Sequence, residues 1–446
     1  MKHALIPVTA ALLLGMAPMA NAAPVTSLTA LQTAIDNAKS GDRVVLAAGR
    51  YEAKQPIRIT RKSGVTVAAA SVGGVEIYGA SGFTFDSSER VTVEGFRFTH
   101  TATVLVPSNS HHIRLSRNVF QLKSPAEKHW VNVDGDDVEV DHNTFTGKST
   151  QGVYLSVFGP SSGMAQRIHV HHNYFYNHSF TGSNGGESIR LGVSSKQRFS
   201  ANALIENNLF EKANGDPEAI SVKSSDNVVR YNTIRDSKGQ IVLRHGNRTR
   251  VEGNIMLGGA SGIRFYGNDH VIVNNLVTGS SGNGITVGSG DVIDDTSSTG
   301  KDRPDRVLLA FNTVSGNAGG IAGENRTYGP DSCVIANNIV TGSGQLVRQT
   351  QFSKFTWEGN LLWGGSAGDI PASGYRTADP KLSGELRRPA ADSPAVDASA
   401  GSYPAVELDI DGQRREGRKD VGADERSGSG AERAPLTTAD VGPNAH

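Results

Sequence analysis

Polar and apolar positions along the middle of this chain repeat a short phrase, apolar-x-x-Asn-x-apolar. It returns as LSRNVF, VDHNTF, VHHNYF, IENNLF, VRYNTI, VEGNIM, IVNNLV, LAFNTV, IANNIV and WEGNLL. The asparagines are Asn118, Asn143, Asn173, Asn208, Asn232, Asn254, Asn275, Asn312, Asn338 and Asn360, with spacings of 24, 22 and 21 residues between Asn208 and Asn275. A unit of that length with several short strands and no helical period describes one coil of a solenoid that stacks on its neighbours. Surface turns or glycosylation sites would also repeat Asn, but the flanking apolar residues alternate and point the segment at a core. The pattern therefore predicts an all-β, right-handed, single-stranded parallel β-helix. Each Asn is expected in a tight left-handed turn, its amide bonded to the equivalent amide one coil above and below.

The two ends of the repeat read differently. Leu28, Leu31, Ile35 and Ala38 recur at helical spacing behind Ser27, a good N-cap, with Gly41 beyond them. A helical cap over 27–40 is expected to cover the first coil, because an open coil is a pairing edge. From Ala378 to Glu425 the Asn phrase is lost while Pro, Asp and Arg increase, and this segment is expected to close the other end. The tail 427–446 has few large apolar residues and is expected to be disordered. Before the cap, Lys2 and His3 precede the apolar run Ala4 to Leu14 and the Ala20-Asn21-Ala22 cleavage pattern, so 1–22 reads as a signal peptide. The mature protein would be one β-helical domain over 23–426, exported to the periplasm or medium of a bacterium.

Composition agrees, with 52 Gly and only 6% aromatic residues. The single cysteine, Cys333, excludes an internal disulfide and a multi-cysteine metal site. Lys plus Arg equal Asp plus Glu at 44 each, so no global field draws the protein to nucleic acid or to a membrane surface. Charge is local instead: Lys223 to Arg250 holds seven Lys or Arg against two Asp. Within it, Lys223 and Arg244, and then Arg264, lie 9, 10 and 11 residues before their asparagines, each after an apolar residue. Alternation would place all three outward at one phase of three consecutive coils, with Arg190 in SIRLG extending the row. Asp216 and Glu218, with Asn184 and Glu187 in the preceding coil, offer oxygen ligands for a hard cation such as Ca²⁺, or ion-pair partners for the cations.

NGGESIRLG, EAISVKS and LRHGN resemble the polysaccharide lyase family that contains chondroitinase B and a group of alginate lyases, family 6, and the likeness runs from the cap segment to about Asn360. The resemblance implies Lys223 as Brønsted base, Arg244 as acid, and Asn184, Asp216 and Glu218 as Ca²⁺ ligands, with Glu187 a further candidate. The chain departs from the family's Glu-x-Glu, carrying Asp216-Pro217-Glu218 with a shorter first carboxylate. The implied reaction is β-elimination in a 4-linked uronate polymer: the base removes the C5 proton once the neighbouring carboxylate is neutralised. A guanidinium seldom gives up a proton, so Arg244 is expected mainly to stabilise charge, with His245 or water in reserve as donor. Arg190, His245, Arg264, Tyr266 and His270 are expected to bind substrate. The expected partner is an anionic polysaccharide, alginate before dermatan sulfate, handled by a monomer. A C5-epimerase, which lacks its DPHD motif here, and a non-catalytic polysaccharide-binding solenoid are the competing readings.

Overall fold

A computed structural model describes residues 23–445 except 181, 183, 295–298 and 427–429. The expected signal segment lies outside the described residues. Three parallel sheets of 13, 14 and 11 strands run the length of the molecule, each strand pairing with its equivalent one coil away. Most strands have only 3–5 residues and alternate buried with exposed, as at Phe96–Phe98 and Val104–Val106. The inward positions stack like on like. Phe98, Phe120, Phe145, Phe175 and Phe210 form a column with ring centroids 4.7–5.2 Å apart. Offset stacking at that spacing fits the ~4.8 Å between strands.

The asparagine ladder runs unbroken from Asn118 to Asn360. At each step the backbone N–H and the Nδ2 of one Asn donate to the Oδ1 of the next, as for Asn232 on Asn254, both at 3.0 Å. Nδ2 also donates to backbone carbonyls, so the buried amide is satisfied on all sides. One detail corrects the expectation. The left-handed residue is the one before each ladder Asn: Arg117, His142, His172, Asn207, Tyr231, Asn274, Phe311 and Asn337 have φ between 51 and 57°. Gly253 and Gly359 hold the same place in their coils. The turn thus accepts bulky residues because the Asn network over-determines it.

The N-terminal helix, Leu28–Asn37, forms as the periodicity predicts, with Ser27 Oγ accepting from Ala30 N at 3.1 Å and Leu31 and Ile35 fully buried. No helix among the described residues is long and apolar enough to cross a membrane.

The C-terminal segment does not close the stack. It folds back along the outside of the ladder corner, Ala395 and Val421 packing on Ile339 and Leu361, Val406 on Ala310 and Phe311, and Ile410 and Ala423 on Ile255 and Leu276. Arg415 is wholly buried there, donating to Asn274, Glu425 and the carbonyls of Gly422 and Ala423. The tail expected to be disordered continues this strap over 430–445. Arg433 stacks on Tyr231 at 4.3 Å and donates to the carbonyls of Tyr231 and Gly253. Gly442 donates to His172, and Arg117 holds the carbonyls of Pro443 and Ala445. The left-handed corner exposes carbonyls along the flank, and arginines satisfy them where apolar side chains are few. Deleting 430–446 is expected to lower the thermal midpoint by roughly 2–4 °C while leaving catalysis intact. Calorimetry beside an activity assay checks this, and an unchanged midpoint would show the tail adds nothing.

Candidate active site

Four neighbouring strands of the 11-stranded sheet, Ile189–Gly192, Glu218–Lys223, Gln240–His245 and Ile263–Phe265, carry the charged groups singled out above. Their inward residues, among them Ile189, Ile220, Ile241 and Ile263, belong to the core. The outward neighbours Arg190, Ser221, Val242 and Arg264 are in register.

The expected row of Lys223, Arg244 and Arg264 at one phase is not what the strands do. Lys223 is level with His245, and Arg264 is level with Val242. The cause is a pair of compensating register shifts between Glu218–Lys223 and Gln240–His245. Ala219 is the extra residue on the first strand and Arg244 the extra residue on the second. A bulge re-aims its side chain, and here it turns Arg244 onto Glu218 at 2.6 Å. Arg264 reaches the same Glu218 oxygen at 3.3 Å. Lys223 Nζ instead meets Glu187 at 3.2 Å, with Arg190 3.8 Å from the same oxygen. The acidic cluster therefore works as the ion-pair partner of the cations. Of the other five cations counted in the basic segment, the four arginines, Arg230, Arg235, Arg248 and Arg250, face other carboxylates elsewhere on the coils.

Two loops set the carboxylates close together. Gly186 and Gly215 touch so tightly that a Cβ on Gly186 would lie 2.2 Å from the Gly215 carbonyl. Asp216 is buried and, among the described residues, accepts from the N–H groups of Gly186 and Glu218 alone. Burial, with Glu187 and Glu218 beside it, pushes its carboxyl up to about 6. Burial would raise Glu218 as well, but Ser221 and the cations Arg244, Lys223 and Arg264 outweigh it and hold that carboxyl below its usual range. Glu187 keeps one oxygen, Oε2, buried without a partner. The Asp216 carboxylate and Glu187 Oε2 are the oxygens that the cations leave over, and carboxylate oxygen is the donor type a hard divalent cation takes. Asn184 sits exposed on the same loop. Among the described residues, three acidic or histidine ligand atoms come within 4.8 Å of one another at Glu139 with Asp141 and His171 and at Asp409 with Asp411 and Asp424, and not at Glu187, Asp216 and Glu218. Arg114 already neutralises the first and Arg388 the second.

Two expected substrate contacts lie too deep. His270 is fully buried, its Nδ1 accepting from Thr249 N and its Nε2 bonded to the Tyr266 carbonyl, and burial drives it down to about 4. Tyr266 is buried too, its hydroxyl donating to Glu324, with Arg264, Lys301 and Arg326 within 4.9–6.0 Å of its ring. It is a pedestal for cations. His245 is nearly buried, bonded through Nε2 to Ser194 Oγ at 3.0 Å, and burial with Arg244 and Lys223 lowers it to about 4, so it is neutral.

Sequence reasoning missed His129, Lys301, Glu324 and Arg326. His129 Nε2 stands 2.6 Å from Arg190, its Nδ1 already accepting from Val153 N. Both nitrogens cannot be acceptors on a neutral ring, so Arg190 lacks a proper acceptor on that side. Lys301 and the pair Glu324 and Arg326 sit in excursions between coils, where distance from an Asn carries no information. The guanidinium Nε atoms of Arg190, Arg244 and Arg264 are all buried with no acceptor among the described residues.

The family model described as chondroitinase B matches residues 25–288, more than half of the chain. Curated protein sequences give no match. Among solved structures, an arginine-to-alanine mutant of the PL6 family alginate lyase AlyGC is similar at 26% identity and TM-score 0.72, covering 80% of this chain and 53% of that one. The chain thus spans about half the length of AlyGC. A PL6 alginate lyase in complex with a trisaccharide shares 22% identity, TM-score 0.73 and coverage of 95% and 94%. The PL6 family polysaccharide lyase Pedsa3628 from Pseudopedobacter saltans shares 22%, TM-score 0.70 and coverage of 95% and 99%. The last two likenesses are of fold.

Proposed function

The chain belongs to the chondroitinase B family of polysaccharide lyases, and from that premise we propose that it cleaves alginate, a 4-linked uronate polymer, by β-elimination outside the cytoplasm. The observation that carries this reading is the cluster of Arg190, Arg244 and Arg264 beside Lys223, whose Nε–H groups have no acceptor among the described residues. Donors without acceptors are costly, and a carboxylate relieves that cost with a charge-assisted hydrogen bond that is stronger than one to a neutral glycan's hydroxyl.

Arg244 and Arg264, sharing one carboxylate on Glu218, retain net positive charge to offer a sugar carboxylate. Neutralising that group acidifies the C5 proton, which Lys223 removes as the free amine. The electron pair left on C5 forms the C4–C5 double bond, the C4–O bond breaks, and the leaving oxygen takes a proton from Lys223 or water. Arg244, aimed by its bulge, stabilises the charge that develops on the carboxylate. His245, neutral and tied to Ser194, keeps Arg244 and Lys223 apart from a further cation. Asp216, Glu218, Glu187 and Asn184 would hold Ca²⁺, whose charge would add to the neutralisation of the substrate carboxylate.

Alginate is favoured over dermatan sulfate because it carries a carboxylate on every sugar and the site offers closely spaced cations. The named alginate lyases of the same fold support that choice. The test is to incubate purified protein with alginate, dermatan sulfate and a neutral glycan and to follow the ultraviolet band of the unsaturated uronate. Absorbance is expected with alginate. Growth on dermatan sulfate alone would move the substrate, and none on any uronate polymer would overturn the lyase reading.

A further inference from the structure

We propose that Arg348 forms a distal subsite for a uronate carboxylate, so that the protein grips a long polymer well beyond the reacting bond. For its substrate class this rests on the lyase reading. The outward positions of the 11-stranded sheet form one register column: Arg190, Ser221, Val242, Arg264, Thr286, Ala322 and Arg348. Arginine thus recurs in that column at every third strand. Three strand steps span ~14 Å, the order of length of a 4-linked uronate trimer. Arg348 continues the line begun by the two arginines of the site.

The surface between Arg264 and Arg348 is built as a trough. Ala322, the column residue next to Arg348, is small, and Gly319 and Gly320 line the surface on the same strand. A Cβ on Gly320 would lie 2.1 Å from the Leu346 carbonyl, so that position accepts no side chain, and one on Gly319 would displace the Asn283 amide, 2.3 Å away. The resulting hollow, about 280 Å³, is walled by Asn283, Gln345 and Arg348. Amide groups with one cation over a floor of glycine and alanine suit the hydroxyls and carboxylate of a pyranose uronate. Arg348 is exposed, and no hydrogen bond or ion pair engages its guanidinium among the described residues. Arg264, by contrast, is tied to Glu218. The distal cation is therefore free to bind while taking no part in the chemistry.

The subsite lies five strands beyond Lys223, ~24 Å, so a trisaccharide engaged at the lysine does not reach it. Arg348→Ala is expected to raise KM for polymeric alginate about tenfold with kcat near unchanged, and to leave trisaccharide kinetics unaltered; Arg348→Lys should recover part of the loss. Unchanged KM on polymer, or an equal loss on polymer and trisaccharide, would overturn the subsite while leaving the lyase reading intact. Should the wild-type protein show no elimination at all, the lyase reading falls separately. The subsite is then decided by electrophoresis of wild type and Arg348→Ala through alginate-containing gels: weaker retardation of the variant supports it, and equal retardation overturns it.

Discussion

Lys223→Ala is expected to lower the elimination rate on alginate by about 10³-fold, the loss typical of removing a positioned general base, with the thermal midpoint nearly unchanged. The side chain lies at the strand end and its partner Glu187 keeps Arg190 nearby, so no buried carboxylate is stranded. Charge and basicity must still be separated. Lys223→Arg preserves the cation and its contact with Glu187, but a guanidinium does not deprotonate. The arginine variant should therefore bind polymer like wild type and remain as inactive as the alanine variant. Rates within tenfold of wild type for either variant, read from the absorbance of the unsaturated product, would remove Lys223 from the base role. An arginine variant that recovers activity would instead show that position 223 contributes only charge.

Much of the fold was legible because the ladder asparagines repeat at a fixed point and the residues around them alternate. Counting back from them found the right strands for Lys223, Arg244 and Arg264, and so the right face of the right sheet. Counting could not find the bulges at Ala219 and Arg244, because two compensating extra residues leave the spacing unchanged. Strand position said little of Tyr266 and His270, which follow the end of their strand at Phe265: Tyr266 is covered by the cations and Glu324 above it, and His270 is bonded between backbone groups. The back-folded strap was illegible for another reason. The composition of its last part, 427–446, looks disordered because large apolar residues are few, yet Arg433 there binds carbonyls that only the folded corner exposes. Glu324 and Lys301 share the site's electrostatics from excursions whose lengths obey no repeat.

Asn232→Ala is expected to destabilise the protein by about 3–5 kcal/mol, on the basis of ~1–3 kcal/mol for each buried polar group left unsatisfied. The Oδ1 of Asn232 accepts both the backbone N–H and the Nδ2 of Asn208, and its own Nδ2 donates to the carbonyls of Ile205 and Arg230 and to Asn254. Alanine strands donors on one side and acceptors on the other, inside a column whose asparagines are fully buried. Position in the ladder should matter as much as bond count. A solenoid's stability is a sum of coils and nearest-neighbour contacts, so a break in the middle divides the cooperative unit while one near an end only shortens it. Asn232 lies midway between Asn118 and Asn360, at the coil that links Glu218–Lys223 to Gln240–His245. Asn232→Ala should therefore give a broad or two-step melt and lose elimination activity in the first step, whereas Asn118→Ala should melt in one step at a moderately lower temperature. Calorimetry with activity sampled along the melt checks both; identical single transitions for the two variants would show that the strap, which spans these coils from outside, holds the stack together more than the ladder does.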